Sequence, residues 1–153
     1  MRVIVQRVTK GSVLVKASDY FQEIGKGIVI LVGIKENDSD ADVNFLADKC
    51  CNLRIFDDEA GKMNLSLKDI NGEMLVISQF TLYGDAQKGN RPSFSEAAKQ
   101  EKAKKFYEMF INRCRINLGN DKVKTGIFAE MMLVEIHNDG PVTIMISSKD
   151  EKL

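Results

Sequence analysis

The sequence predicts a single α/β domain of the α+β type, in which a mostly antiparallel sheet packs with at least two helices. Three observations carry that expectation. A length of 153 residues is the usual size of one domain, and no repeat, linker or low-complexity stretch divides it. A hydrophobic fraction of 44% with 29% charged residues is ordinary for a globular protein with a core. The hydrophobic period also changes along the chain, in the order strands, helix, strand, helix, strands. The expected domain spans residues 1–148, and the tail from Lys149 to Leu153 is expected to fray.

The first third reads as strands. Arg2 to Val8 has a broken alternation in Val3, Val5 and the pair Arg7/Val8. Lys10-Gly11 reads as a turn before a second short strand, Ser12 to Val15. Phe21 to Ile24 and Gly27 to Ile34 follow, separated by Gly25-Lys26-Gly27. The run from Ile28 to Ile34 is β-branched and bounded by turn signals, so it is expected at the centre of the sheet.

The period then lengthens. Ser39 with Asp42 resembles a capping box, and Val43, Leu46, Ala47 and Cys50 fall on one helical face. Glu73 to Leu82 reads as another buried strand. After a loop from Gly84 to Pro92, Ser93 and Glu96 form a second capping-box pair. Ala103, Phe106, Tyr107, Phe110 and Cys114 then continue a helical stripe that ends near Gly119. Phe128 to Ile136 and Val142 to Ser147 are the last expected strands, joined by a turn at Asn138-Asp139-Gly140.

Composition narrows the function classes. Cations and carboxylates balance at 22 each, so no global field draws the chain to nucleic acid, and RNA binding would need local patches. The longest apolar run is too short to span a bilayer, and residues 1–8 lack the apolar segment of a signal peptide, which points to the cytoplasm. Cys50, Cys51 and Cys114 have no zinc-like spacing and read as free, partly buried thiols. His137 is the single histidine and cannot build a multi-histidine metal centre. Phosphate-loop, dinucleotide and GxSxG motifs do not occur.

Three stretches are candidates for chemistry. Ser78-Gln79-Phe80-Thr81 places two hydroxyls and an amide at the end of an apolar strand. Such an end offers backbone N–H groups to a developing oxyanion; equally, its polar residues cap the strand through local hydrogen bonds. Gly140-Pro141 joins a turn to a strand, where proline is either structural punctuation or the site of a cis bond. Lys88, Arg91, Lys99, Lys102, Lys104 and Lys105 surround the loop and the second helix. They form either a phosphate-binding face or a solvated one, with Glu96, Glu101 and Glu108 interspersed.

Ser78-Gln79-Phe80-Thr81-Leu82 together with Gly140-Pro141-Val142-Thr143 resembles the two signature motifs of the D-aminoacyl-tRNA deacylases. Met1 to Val8, Asn52 to Phe56, Gly61 to Ser66, Arg91 to Phe94 and Thr125 to Phe128 are similar to that family in the same order. The resemblance implies a cytoplasmic homodimer of barrel-like domains that hydrolyses the ester of D-aminoacyl-tRNA, with no metal or cofactor. It implies proofreading of translation, with glycyl-tRNA accepted to some degree. It also implies a cis Gly140-Pro141 peptide that reaches into the partner subunit's site, beside Ser78, Gln79, Phe80 and Thr81, with Arg7 bracing it. Two successive carbonyls would hold the α-ammonium, and an L side chain would clash with the Gly-Pro backbone. Two other functions use the same residues: a non-catalytic module binding nucleotide or nucleic acid, and a Ser/Thr esterase for small metabolites.

Overall fold

The computed structural model describes residues 1–149. Its first strand, β1, runs without a break from Arg2 to Val15. One of its edges pairs antiparallel with both β2 (Tyr20–Ile24) and β3 (Gly27–Gly33). The other edge pairs antiparallel with the long last strand, β8 (Leu133–Ser147). The turn expected at Lys10-Gly11 is absent because Gly11 serves close packing instead. A Cβ there would lie 2.7 Å from Val29 Cγ2.

Beyond β3 the sheet becomes parallel. β6 (Glu73–Ser78) lies parallel to β3, and β7 (Val123–Thr125) lies parallel to β6. Parallel neighbours need long crossovers, and the two helices lie in them: α1 (Asp40–Asn52) between β3 and β6, and α2 (Gln100–Leu118) between β6 and β7. The sheet is therefore mixed, antiparallel around β1 and parallel at β6. A small ribbon of β4 (Phe56–Asp57) and β5 (Met63–Leu65) stands apart from it. The Tyr20 hydroxyl of β2 donates to the Thr125 carbonyl of β7 at 2.8 Å, so the two ends of the curled sheet nearly meet.

The curl divides the core in two. Val3, Val5, Ile28, Ile30, Met74 and Val76 face α1 and α2. Val8, Val13, Ile24, Val29, Leu75 and Ile77 fill the inside of the barrel. β6 thus buries alternate residues on both faces, which is why it reads as an unbroken apolar run. α1 starts with the expected capping box between Ser39 and Asp42. Arg113 grips Asp48 through two bonds of 2.7 and 2.8 Å, joining the helices. Cys50, Cys51 and Cys114 are free and buried in this layer, and burial pushes the Cys50 thiol far up.

Other expectations are corrected. α2 begins at Gln100, not after Ser93. Ser93 instead exchanges two backbone hydrogen bonds with Asp85, while Glu96 pairs with Lys35 at 2.8 Å. β6 stops at Ser78, where the chain tightens into a 3₁₀ turn over Phe80–Tyr83. Phe128 to Met132 lies outside any strand, with Ala129 at a left-handed φ of 62°. Lys149 is tied down by a 2.7 Å hydrogen bond to the Asn37 carbonyl. The rest of the tail expected to fray, from Asp150 to Leu153, lies outside the described residues.

Candidate functional site

The apolar strand β6 delivers Ser78 to the rim of the sheet, opposite Val32 of β3. The Gln79 amide continues the pairing with a 2.8 Å bond to the Val32 carbonyl before the chain turns. Gly33 makes room for that turn, since a Cβ there would meet Leu82 Cβ at 3.0 Å and the Gln79 oxygen at 3.2 Å. Within the turn, Leu82 N–H donates to the Gln79 carbonyl and Gly84 N–H to the Thr81 carbonyl, at 3.3 and 2.9 Å. The amides of Phe80 and Thr81 precede the first of these bonds, where helical turns leave N–H groups for outside acceptors. Arg2, which the sequence did not single out, steadies the turn by donating to the Leu82 carbonyl at 3.1 Å.

A cavity of about 780 Å³ opens beside this strand end. Ile77, Ser78, Gln79 and Phe80 form one side; Phe94, Ala97, Ala98, Gln100 and Ala103 form a second; Phe128 to Met132 form a third. Phe80 is 57% exposed and meets the Phe94 ring edge-on at 5.1 Å. The Gln79 side-chain amide donates to the Thr81 hydroxyl. His137 pairs with Lys10 in the sheet and does not line the cavity. Among the described residues, no group of three or more His, Cys, Asp or Glu side chains is placed to hold a metal ion.

The second motif lies elsewhere. β1 and β8 pair at Gln6↔Thr143 and again at Val8↔Asn138, so Asp139 to Val142 bulge out opposite Arg7 alone. The Gly140-Pro141 peptide in this bulge is cis, and both residues are exposed. Asn138 closes the bulge, its side-chain amide donating to the Arg7 and Val142 carbonyls, each at 3.0 Å. Arg7 is buried and donates to the Ile55 carbonyl at 2.7 Å. Its Nε lies 3.1 Å from an Asp139 carboxylate oxygen, an ion pair rather than a directed hydrogen bond. A Cβ on Gly140, whose φ is 114°, would meet Arg7 Nη2 at 3.0 Å.

Ser78, Gln79 and Phe80 are thus brought together at the cavity with Thr81 in the adjoining turn, while Gly140, Pro141 and Arg7 are grouped at the bulge. Arg7 stands opposite Ile28 and Ser78 opposite Val32, an offset of about 13 Å along the strands at 3.3 Å per residue. Neither Gly140 nor Pro141 lines the cavity of its own chain. Phe94 and the Phe128–Met132 wall were not singled out as site residues, although Arg91 to Phe94 and Thr125 to Phe128 resemble the family: the first sits in an irregular loop, and the second reads as strand.

A family model described as D-Tyr-tRNA(Tyr) deacylase matches residues 4–147. The D-aminoacyl-tRNA deacylase of Clostridium novyi (strain NT) is 56% identical over 151 residues, covering 99% of each chain. A solved structure of a protein described as c-Myc DNA Unwinding Element Binding Protein is 40% identical, with a TM-score of 0.91 over 97% of this chain and 99% of that one. A second, described as a probable eukaryotic D-amino acid tRNA deacylase, shares the fold at 18% identity, with a TM-score of 0.85 over 95% and 97% of the two chains.

Proposed function

The chain belongs to the D-Tyr-tRNA(Tyr) deacylase family, and from that premise we propose that it hydrolyses the ester linking a D-amino acid to the 3′-terminal ribose of tRNA. The observation that carries the reading is the cavity at the end of β6. Its volume of about 780 Å³ is that of pockets that enclose small-molecule ligands, and Ser78, Gln79 and Phe80 stand at its edge.

Water attacks the ester carbonyl, and the amides of Phe80 and Thr81 receive the oxyanion. Thr81 is a poor candidate for the nucleophile. Its hydroxyl accepts a hydrogen bond from the Gln79 amide, which cannot take up its proton. The 2′-hydroxyl of the substrate's own ribose assists instead, with Ser78, Gln79 and Thr81 positioning the ester. Such a hydroxyl would also separate RNA from DNA.

Chirality is read by rejection. Gly140 and Pro141 of one subunit close the cavity of a second copy, and the backbone there blocks an L side chain while leaving a D side chain outside. Glycine, which has no side chain to block, is accepted in part. The exposure of both residues and their distance from the cavity of their own chain favour this arrangement in trans. The protein would act as a cytoplasmic homodimer. Among the described residues, no helix is long and apolar enough to cross a membrane.

Deacylation of D-tyrosyl-tRNA and L-tyrosyl-tRNA, measured side by side, tests the reading. Rapid loss of the D ester alone is expected; cleavage of both would remove the chiral role of Gly140-Pro141. A verified monomer is expected to be inactive, and full activity in one would exclude the shared site. A nucleic-acid-binding module without turnover is the second reading, favoured by the 40% identical structure, whose protein is described as binding a DNA unwinding element. Survival of both esters would select it.

A further inference from the structure

The deacylation chemistry leaves a run of cations between Gly84 and Lys105 without a role. Lys88, Arg91, Lys99, Lys102, Lys104 and Lys105 stand there against Asp85, Glu96 and Glu101, six cations to three carboxylates. The whole chain is balanced at 22 of each, so elsewhere 16 cations face 19 carboxylates. Positive charge is therefore gathered at one place on an otherwise acidic molecule.

That place is the rim of the cavity. Residues 84–96 form an exposed excursion, closed at its base by two 2.8 Å bonds between Asp85 and Ser93. Phe94, packed on Phe80, fixes the base to the cavity wall. Lys88 and Arg91 flank Gly89 at the far end, where a φ of 74° turns the chain. Ala97, Ala98, Gln100 and Ala103 then run into the wall itself. Lys104 follows Gln100 by one helical turn and so shares its side of α2.

The charges differ in how far they are already engaged. Glu96, next to the wall residue Ala97, is paired with Lys35 at 2.8 Å, which takes one of the three carboxylates out of the balance. Glu130 stands on the Phe128–Met132 wall, and Glu36 accepts from the Lys99 amide at 3.0 Å. Lys102 donates to the Glu36 carbonyl and lies over the Phe106 ring at 5.2 Å, so it is turned inward. Lys88, Arg91 and Lys104 are exposed.

We propose that this rim binds the phosphate backbone of the tRNA acceptor arm, with Lys88, Arg91 and Lys104 as its principal contacts. The proposal rests on the deacylase reading, because it needs the 3′ end of an RNA in the cavity. A strand whose last nucleotide enters the cavity must leave over one of its walls, and among the three walls described the segment from Gly84 to Lys105 is the one that carries a run of cations. Contacts to phosphate carry no base information, so the same surface serves tRNAs of any sequence. The acidic remainder of the molecule repels the polyanion and leaves this approach favoured.

The test compares the intact protein with a variant combining Lys88→Ala, Arg91→Ala and Lys104→Ala, on two substrates. One is D-tyrosyl-tRNA; the other is 3′-D-tyrosyl-adenosine, which has the ester but no phosphate. On tRNA the variant is expected to show a KM raised on the order of tenfold to a hundredfold. The slope of log(kcat/KM) against log salt should shrink by about two to three. Turnover of the adenosine ester is expected to be unchanged. Equal KM and equal salt slope on tRNA would overturn the proposal, as would a matching loss on the adenosine ester. If the intact protein cleaves neither ester, the deacylase reading fails on its own. Fluorescence-anisotropy binding of uncharged tRNA then decides the surface: weaker binding by the variant upholds it, and equal binding removes it.

Discussion

Beneath Ser78 the sheet is apolar on both faces, with Met74 and Val76 against the helices and Leu75 and Ile77 inside the barrel. Beneath Gly140 and Pro141 there is no such support. β8 is an outer strand whose residues are exposed or half-buried throughout, and its bulge is held by Asn138, Arg7 and Asp139. One half of the proposed site is therefore placed by packing, the other by directed polar contacts. Packing fixes a position as a by-product of folding. Polar contacts at an edge can be removed one at a time while the fold survives, so the two halves should fail differently.

The largest effect is expected in the packed half. Leu75→Ala empties space between β6 and the barrel interior and should cost about 2–5 kcal/mol of stability, read from denaturant unfolding. At low temperature the molecules that remain folded should deacylate D-tyrosyl-tRNA at close to the normal rate. A specific activity per folded molecule that fell as steeply as stability would break the comparison, because the strand end would then depend on fine packing.

Gly140→Ala should invert that pattern. Its φ of 114° is strained for any L side chain, and the new Cβ would also meet Val142 Cγ2 at 2.9 Å and Arg7 Nη2 at 3.0 Å. The backbone cost is about 1–3 kcal/mol. Moving the bulge by an ångström should lower kcat/KM for D-tyrosyl-tRNA by about a hundredfold. Normal turnover and normal selection against the L ester in this variant would mean that Gly140 does not touch the substrate.

A smaller effect is expected at Asn138. Asn138→Ala removes the two donors that bind the Arg7 and Val142 carbonyls, bonds each worth about 0.5–1.5 kcal/mol. The bulge would loosen without losing its neighbours. The ratio of D to L cleavage should fall by about tenfold with Tm lowered by only a few degrees, and Asn138→Asp should not restore the ratio because a carboxylate supplies no donor. A fall in Tm with an unchanged ratio would show that Asn138 holds the sheet rather than the bulge.

Legibility in the sequence divides along the same line. Ile28 to Ile34 writes its burial as an unbroken apolar run and the Phe106–Cys114 stripe as a helical period, while the Ser39–Asp42 box is polar but closes within four residues, so each was readable. The 3₁₀ turn after Ser78 was not, because Phe80-Thr81-Leu82 continues the strand-like composition while Gly33, far away in sequence, makes room for the turn. Ser93 and Glu96 have the spacing of a helix start, yet pairing with Asp85 and Lys35 claims both before a helix can form. The bulge was least legible: its contacts run from Asn138 to Arg7, residues 131 positions apart. Resemblance, not periodicity, pointed to the Gly-Pro pair.

The smallest effect concerns pH. Asp48 has its carboxyl held below the ordinary aspartate value of 3.8, chiefly by hydrogen bonds from Arg113. Asp42 is also held low: burial works against its charge, but hydrogen bonds from Ser39 and Ser148 and the nearby Lys149 outweigh it. A carboxyl lowered in the folded state gives stability that is complete above the unfolded value and is lost as pH falls through the folded one. Unfolding should therefore become easier below about pH 4. Asp48 is partly exposed, so solvent screens its share. Asp48→Asn should flatten the acid limb of stability without shifting the pH dependence of deacylation above about pH 5, because Asp48 lies on α1 and lines neither the cavity nor the bulge. A shift of the activity profile in that variant would tie the helical layer to the chemistry and undo the separation between the packed scaffold and the polar half of the site.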